Sequence, residues 1–202
     1  NGARVSASGK AESAGSSFAL SVSGTAKKAD LTKFYTLVPF FKTMGIEGIA
    51  DGTWSVSGNS SAPVIKAKVK ASGGEFRRLK ISSFSSDISF ASSKLLLERM
   101  NVAAAGGTAS LKCFVDLRKG EPVVKWNLVG KVRDLNLDAV NDVLDMKEDI
   151  EGTCTGDIRV YNEGKGIKWD ASVAESKPRW KDVRIESLTG KASGTDKVVN
   201  LD

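Results

Sequence analysis

The sequence predicts a mainly β protein, an antiparallel sheet built from two repeats of roughly 105 residues. One observation is the alternation of apolar and polar residues in runs such as APVIKAKVKASG, which is typical of strands with one solvent-exposed face. Another is the frequent Gly-rich or polar break, as in SGNSSAP and RKGEP, which is typical of hairpin connections. The third is a sequence motif that occurs twice, as IEGIADG beginning at Ile46 and as IEGTCTG beginning at Ile150.

Self-alignment of the chain defines the repeats. A shift of 104 positions aligns the second motif with the first, and the same alignment continues downstream without a gap. Upstream, a shift of 106 positions lays Gly130 on Gly24, and the two-residue difference falls where a connection tolerates it. We therefore predict repeat 1 at residues 1–106 and repeat 2 at residues 107–202.

The apolar positions of the alternating runs should share one face of the sheet. Such a face either forms the dry core of a closed sandwich or lines a groove that an apolar ligand fills. The predicted lining residues are Phe18, Leu20, Trp54, Val56, Ile65, Ala67, Val69, Phe76, Ile88, Phe90, Leu111, Trp126, Leu128, Ile158, Val160 and Trp169.

One segment in each repeat changes to helical spacing. Asp30 is a plausible N-cap, and Pro39 would end the first helix. The second helix should begin near Asn136. Their apolar stripes are Leu31, Phe34 and Val38 in repeat 1, and Leu137, Val140 and Leu144 in repeat 2. We expect each helix to cover the apolar face, as a fixed cap or as a gate.

The amino-acid composition excludes most kinds of catalytic and metal-binding site. The chain has no histidine, so it has no Ser-His-Asp triad and no His-based metal site. Cys113 and Cys154 lack CxxC or zinc-ligand spacing and lie on the apolar parity, so we expect small buried packing residues. We therefore expect a protein that is not an enzyme and that needs neither cofactor nor metal.

The charge balance is modestly basic. The net charge is +6 and is spread along the chain. Lys66, Lys68 and Lys70 could attract anionic headgroups or nucleic acid, or could simply keep an outer strand face solvated. No aromatic-and-basic RNA motif accompanies them, so we expect no nucleic-acid partner.

The order of elements resembles a known family. A strand ending in Gly (FALSVSG, VKWNLVG) leads to a short helix, then to I-E-G-x-x-x-G, and then to a strand pair such as VKASGGEFRRLKI. This order is similar to the repeats of the AsmA-like/TamB superfamily of bridge-like lipid-transfer proteins. The resemblance covers essentially the whole chain but rests on no catalytic signature.

The resemblance implies a sheet curled into a U-shaped trough, or β-taco, with an apolar interior. It implies a segment of a conduit in the periplasm of a diderm bacterium, anchored in the inner membrane through a part outside this segment. The implied partners are phospholipid acyl chains, neighbouring repeats of the same polypeptide, and inner- and outer-membrane proteins reached through parts absent here. Lipid would move between the two membranes.

Two other function classes remain open. A structural or adhesive β-rod of an exported surface protein would also use repeated strands, although such solenoids usually have coils of about 20–30 residues. An enzyme of polysaccharide-lyase type would need a clustered acid/base set, which the sequence lacks. The parent gene would separate them, because an N-terminal membrane anchor with many more repeats favours the conduit.

Overall fold

A computed structural model describes residues 2–34, 46–76, 79–117, 125–139, 150–164, 166–180, 183–184, 186–195 and 198–201. Alternation of apolar and polar residues produces strands almost throughout. These are β1 (Arg4–Ala14), β2 (Ser17–Asp30), β3 (Ile46–Asn59), β4 (Ala62–Phe76), β5 (Leu79–Ala91), β6 (Lys94–Ala104), β7 (Gly107–Asp116), β8 (Lys125–Asn136), β9 (Ile150–Glu151), β10 (Thr153–Asn162), β11 (Ile167–Ser176), β12 (Arg179–Trp180), β13 (Val183–Arg184), β14 (Leu188–Thr195) and β15 (Val199–Leu201).

The strands form one large antiparallel sheet. Twelve strands follow in the order β1-β2-β3-β4-β5-β6-β7-β8-β10-β11-β14-β15, and β13-β12-β9 form a small second sheet. Within the described chain each strand of the large sheet pairs with the next one in that order, and β1 does not pair with β15. The sheet is therefore open, and the prediction of a mainly β antiparallel fold is confirmed.

The large sheet is a single layer. The accessible surface is 13757 Å² for a chain of 21.4 kDa, whereas a compact monomer of that mass exposes about 9,100 Å². Among the described residues no large side chain is fully buried, and the buried apolar residues are only Ala29, Ala50, Met100 and Ala104. In the described part of the chain the apolar side chains are shielded by lateral neighbours in the sheet, and no second layer packs on them.

Register shifts change the alternation within several strands. In β6, Leu97 pairs with Cys113 but Met100 pairs with Leu111, so three steps on β6 match two on β7. Arg99, inside this bulge, has a positive φ of 48°. A β-bulge inserts an extra residue and bends the strand. Here it also moves the apolar face from odd-numbered to even-numbered residues.

The same local geometry recurs at positions that the sequence shifts pair. Lys28 has a φ of 53° and its N–H donates to Asp51 Oδ1 at 2.6 Å. Asp134 also has a φ of 53° and its N–H donates to Thr155 Oγ1 at 2.9 Å. The shift of 106 pairs Lys28 with Asp134, and the shift of 104 pairs Asp51 with Thr155. The repeat boundary at residues 106 and 107 stays a prediction.

Close backbone approach explains the glycines of the repeated motif. A Cβ on Gly52 would lie 2.8 Å from the Lys68 carbonyl oxygen. A Cβ on Gly156, the matching position, would overlap the Ser172 carbonyl oxygen. Glycine avoids this contact because it lacks a Cβ.

The first helical segment is a short 3₁₀ helix, Leu31–Phe34. Asp30 caps it as predicted, because its Oδ1 accepts from Thr32 Oγ1 at 2.7 Å and from Thr32 N–H at 3.0 Å. The hydroxyl bond, and then the backbone bond, hold the pKa of the Asp30 carboxyl below its usual value. This helix contacts β3.

The second helical segment begins in the same way. Asn136 Oδ1 accepts from the Asp138 N–H at 2.9 Å, and residues 137–139 are helical. Several predicted helix residues lie outside the described chain, namely Val38, Pro39, Val140 and Leu144. Whether either segment caps or gates the sheet therefore stays a prediction.

We expect Gly156→Ala to lower the free energy of unfolding by about 1–3 kcal/mol, because the new methyl group collides with the neighbouring strand. Gly52→Ala should act in the same direction. Urea unfolding followed by circular dichroism measures both. Gly2→Ala is the control, since nothing lies within 4 Å of a Cβ there. Equal midpoints for all three variants would contradict the close approach.

Candidate functional site

The strand register collects the apolar positions on one side of the large sheet. Directly opposed residues of antiparallel strands lie on the same face. Val56 pairs with Ile65, and Ile65 pairs in turn with Phe90. We call the whole side that contains these residues the apolar face.

One row of the apolar face crosses most of the sheet. We call it the central row, and it consists of Gly24, Trp54, Ala67, Ile88, Leu97, Cys113, Leu128, Val160, Trp169 and Gly194, each paired with the next. Every member is apolar or small. The apolar surface is therefore continuous from β2 to β14.

Tryptophans lie over cross-strand glycines at both ends of the central row. A Cβ on Gly24 would lie 2.5 Å from Trp54 Cζ2, and a Cβ on Gly194 would lie 2.9 Å from Trp169 Cζ2. Each indole thus occupies the space that its partner's missing side chain leaves, as in aromatic rescue of glycine. This contact places each ring against the backbone of the neighbouring strand.

The apolar face is partly exposed along its length. Trp54, Ile65 and Leu128 are half-buried, while Phe18, next to the first hairpin, is 52% exposed. Buried Ser86 interrupts the face, and its hydroxyl donates to the Glu98 and Asp87 carbonyl oxygens at 3.2 and 3.3 Å. No buried side-chain polar atom of the described residues lacks a hydrogen-bond partner.

All the predicted lining positions fall on this face by register. Phe76 is the instructive case, because simple alternation from Ile65 places it on the opposite side. Between Ala71 and Gly74 the register of β4 shifts against β3, and this shift returns position 76 to the apolar face. The side chain of Phe76 lies outside the described part. The role of these residues in lining a lipid groove stays a prediction.

Sequence reasoning missed the contribution of β6. Leu95, Leu97 and Met100 occupy the apolar face, paired with Val115, Cys113 and Leu111. The run KLLLERM has no clean alternation because the bulge at Glu98 and Arg99 interrupts it. The opposed strand β7 does alternate, so its pattern is the one available signal.

The opposite face of the sheet is exposed to solvent and carries both positive and negative side chains. We call it the wet face. Lys66, Lys68 and Lys70 are exposed there. Ion pairs on it join Arg99 with Asp87, Lys112 with Glu98 at 3.2 Å, and Lys131 with Asp157 at 3.6 Å. The Arg159 guanidinium lies 4.4 Å from the Tyr161 ring centroid. Since both signs are interspersed, this face keeps the single layer solvated.

Both cysteines are free thiols on the apolar face. Cys113 pairs with Leu128, and Cys154 pairs with Leu135. Each is half-buried, which corrects the expectation of small buried packing residues, since no second layer covers them in the described part of the chain. Burial raises the pKa of both thiols above the usual value. Among the described residues no group of acidic or thiol side chains is arranged to hold a metal ion.

Comparison with protein-family models, curated proteins and solved structures found no match. In the described part of the chain no helix has the length and apolar character needed to cross a membrane.

We expect the Cys113 thiol to react slowly with iodoacetamide at pH 8, because partial burial disfavours its thiolate. The pH midpoint of the reaction should lie above that of the same chain unfolded in urea. The measurement is alkylation rate against pH on a Cys154→Ser variant, followed by mass spectrometry. Equal midpoints in the folded and unfolded chains would contradict the burial of this thiol.

Proposed function

We propose that this chain is a non-enzymatic lipid-binding segment of a conduit, whose apolar face holds phospholipid acyl chains. The observation that carries the proposal is the continuous apolar face without a covering layer in the described structure. Leaving such a surface exposed to water costs about 25 cal/mol of free energy per Å² of apolar area. Exposed apolar patches much larger than a few hundred Å² typically mark interaction sites.

The chemistry of the face favours hydrocarbon over a polar ligand. The central row contains only aliphatic, aromatic, cysteine and glycine residues, and the buried polar group Ser86 is already satisfied by backbone carbonyls. A polar ligand would find few partners in the central row. An acyl chain needs none, and each methylene that it buries contributes about 0.8 kcal/mol.

The dimensions of the sheet suit several acyl chains. Twelve strands spaced about 4.8 Å apart make a sheet about 50 Å wide. One leaflet of a bilayer core is about 15 Å thick, which is the extent of one acyl chain. Headgroups would remain in water, so we expect discrimination by tail and broad phospholipid binding.

The resemblance to the AsmA-like/TamB superfamily supplies the wider setting of the proposal. The bulges bend strands, which supports a sheet curled into a U-shaped trough with the apolar face inside. The matching bulges at Lys28 and Asp134 support two equivalent repeats. The proposed setting is the periplasm, between an inner-membrane anchor and an outer-membrane partner, with lipid passing along neighbouring repeats.

The structural-rod alternative has less support. Stacked solenoid coils repeat every 20 to 30 residues or so, whereas the large sheet is an antiparallel meander. A rod also gives no role to an uncovered apolar face, because a solenoid closes its core between the strands of successive coils.

We expect Ile65→Asp to reduce lipid binding and transfer at least tenfold, because one desolvated carboxylate costs more than the 1.4 kcal/mol that tenfold represents. Ile65 is half-buried between Val56 and Phe90. The assays are fluorescent phospholipid transfer between vesicles and native mass spectrometry of bound lipid. Stability should fall by less than burial of a carboxylate in a dry core would require.

Ser55→Asp is the matched control. Ser55 is the neighbour of Val56 on the wet face and is opposed by Lys66, so the same charge meets water and a cation. Its lipid transfer should stay close to that of the parent chain. Equal losses of fold and of transfer in Ile65→Asp would favour a closed dry core. Absence of bound lipid under every condition tested would overturn the proposal.

A further inference from the structure

The wet face carries a contiguous apolar patch on four neighbouring strands in the middle of the sheet. Leu96 of β6 is opposed by Phe114 of β7, and Val129 of β8 and Tyr161 of β10 occupy the adjoining positions. Phe114 is 37% exposed, and the other three are half-buried. We call these four residues the wet-face patch. Single apolar residues on a surface are ordinary, so the contiguity of this group is the feature to explain.

Two cations converge on the Tyr161 ring at one end of the wet-face patch. The Arg159 guanidinium carbon lies 4.4 Å from the ring centroid, and Lys168 Nζ lies 6.0 Å from it. Asn127, opposed to Tyr161, accepts a hydrogen bond from Arg159 Nε at 3.3 Å through its Oδ1. The ring and the amide thus orient the guanidinium. Since no acceptor in the described chain engages its two terminal nitrogens, they are available to a ligand.

These two cations have no carboxylate partner within the described residues. Three other cations of the wet face form ion pairs with carboxylates. The register places Asp170 opposite Arg159, but the guanidinium lies over Tyr161 and no ion pair joins it to Asp170. Two positive charges that share one ring repel each other, and an anion placed between them removes this cost.

We propose that Arg159 and Lys168 bind the phosphate of an organic phosphate monoester, whose apolar group lies on the wet-face patch. Guanidinium N–H groups match phosphate oxygens in bidentate geometry, and lysine adds a point charge. A phosphate monoester carries about 1.5–2 negative charges at pH 7, which suits two adjacent cations better than the single charge of a carboxylate or a sulfate ester. Phe114, two strands or about 10 Å from Tyr161 in the same row, offers an exposed aromatic ring to the organic group.

The size of the wet-face patch favours a small ligand over a protein or a membrane. The four strands span three spacings of about 4.8 Å, so the patch covers at most about 200 Å². A stable protein interface needs about 800 Å² from each partner. A flat anionic membrane would also meet the carboxylates of Glu98 and Asp170, which lie on the same face.

The phosphate site is separate from the proposed acyl-chain surface, because it lies on the opposite face of the sheet. Phosphate monoesters occur both as soluble compounds and as lipid headgroups, such as that of phosphatidic acid. The phosphate chemistry is the same in the two sources, so each kind needs its own probe.

Nuclear magnetic resonance tests the site directly through the signal of the Arg159 Nε–H group. We expect phenyl phosphate to shift this signal saturably, with a Kd at least about threefold below that of inorganic phosphate, which lacks the apolar group. Phenyl sulfate has the same ring and one negative charge, so it should bind at least about threefold more weakly than phenyl phosphate. All titrations use one ionic strength, because salt screens exposed charges.

Vesicles of phosphatidylcholine with and without phosphatidic acid identify the source of the phosphate. If the ligand is a lipid, the phosphatidic acid vesicles bind the chain more tightly, and phenyl phosphate or Arg159→Gln reduces that binding. If the ligand is a soluble ester, vesicle binding is insensitive to both, while phenyl phosphate still shifts the Arg159 signal. Both results support the site.

Substitutions identify the binding groups by calorimetry. Arg159→Gln and Lys168→Gln should each raise the Kd of phenyl phosphate about fivefold or more, because each removes a charge-assisted contact. Phe114→Ser should abolish the preference for phenyl phosphate over inorganic phosphate and leave the Kd of inorganic phosphate unchanged. Lys131→Gln is the matched control, because Lys131 lies on the same face but already pairs with Asp157. Its Kd should stay within about twofold of the parent.

Three results would overturn the proposal. The first is the absence of a saturable shift of the Arg159 signal with phenyl phosphate. The second is an equal Kd for phenyl phosphate and phenyl sulfate, since this indicates unspecific attraction of anions. The third is an unchanged Kd in Arg159→Gln when circular dichroism shows an intact sheet. None of these measurements depends on lipid transfer, so this site and the acyl-chain surface succeed or fail separately.

Discussion

The fold depends on a backbone hydrogen-bond ladder that keeps most of the apolar side chains on one side of a single layer. A two-layer protein can bury a misplaced apolar residue against another element. A single sheet has no second element to cover such a residue. A slip of one residue in the strand pairing would move all the apolar side chains of a strand to the wet face. The register of the large sheet is therefore the property on which its surfaces and its proposed function rest.

Bulges reconcile this constraint with strand curvature. At Lys28, Arg99 and Asp134 an extra residue takes a positive φ, and the alternation changes parity at that point. Because the apolar residues of the sequence change parity at the same places, the apolar face is preserved while the strands bend. Gly52 and Gly156 complete the arrangement, because their neighbours approach too closely for a side chain.

The two faces of the sheet differ in charge and polarity. Interspersed charges, including the Lys112–Glu98 and Lys131–Asp157 pairs, keep one face in water. The other face offers a broad apolar surface without directed polar groups. Recognition by such a surface depends on area and shape more than on a few precisely placed residues.

The sequence alone determined the mainly β class, the side of the sheet on which Ile65 and Trp54 lie, and the cap at Asp30, because alternation and capping are local properties. It could not determine that the sheet is one open layer, since the same alternation suits a sandwich. Nor could it explain why Phe76 joins Ile65, or why Leu97 and Met100 share a face. Those placements depend on bulges, which arise from the pairing of two strands, and a change of parity in one strand does not by itself distinguish a bulge from the end of a strand.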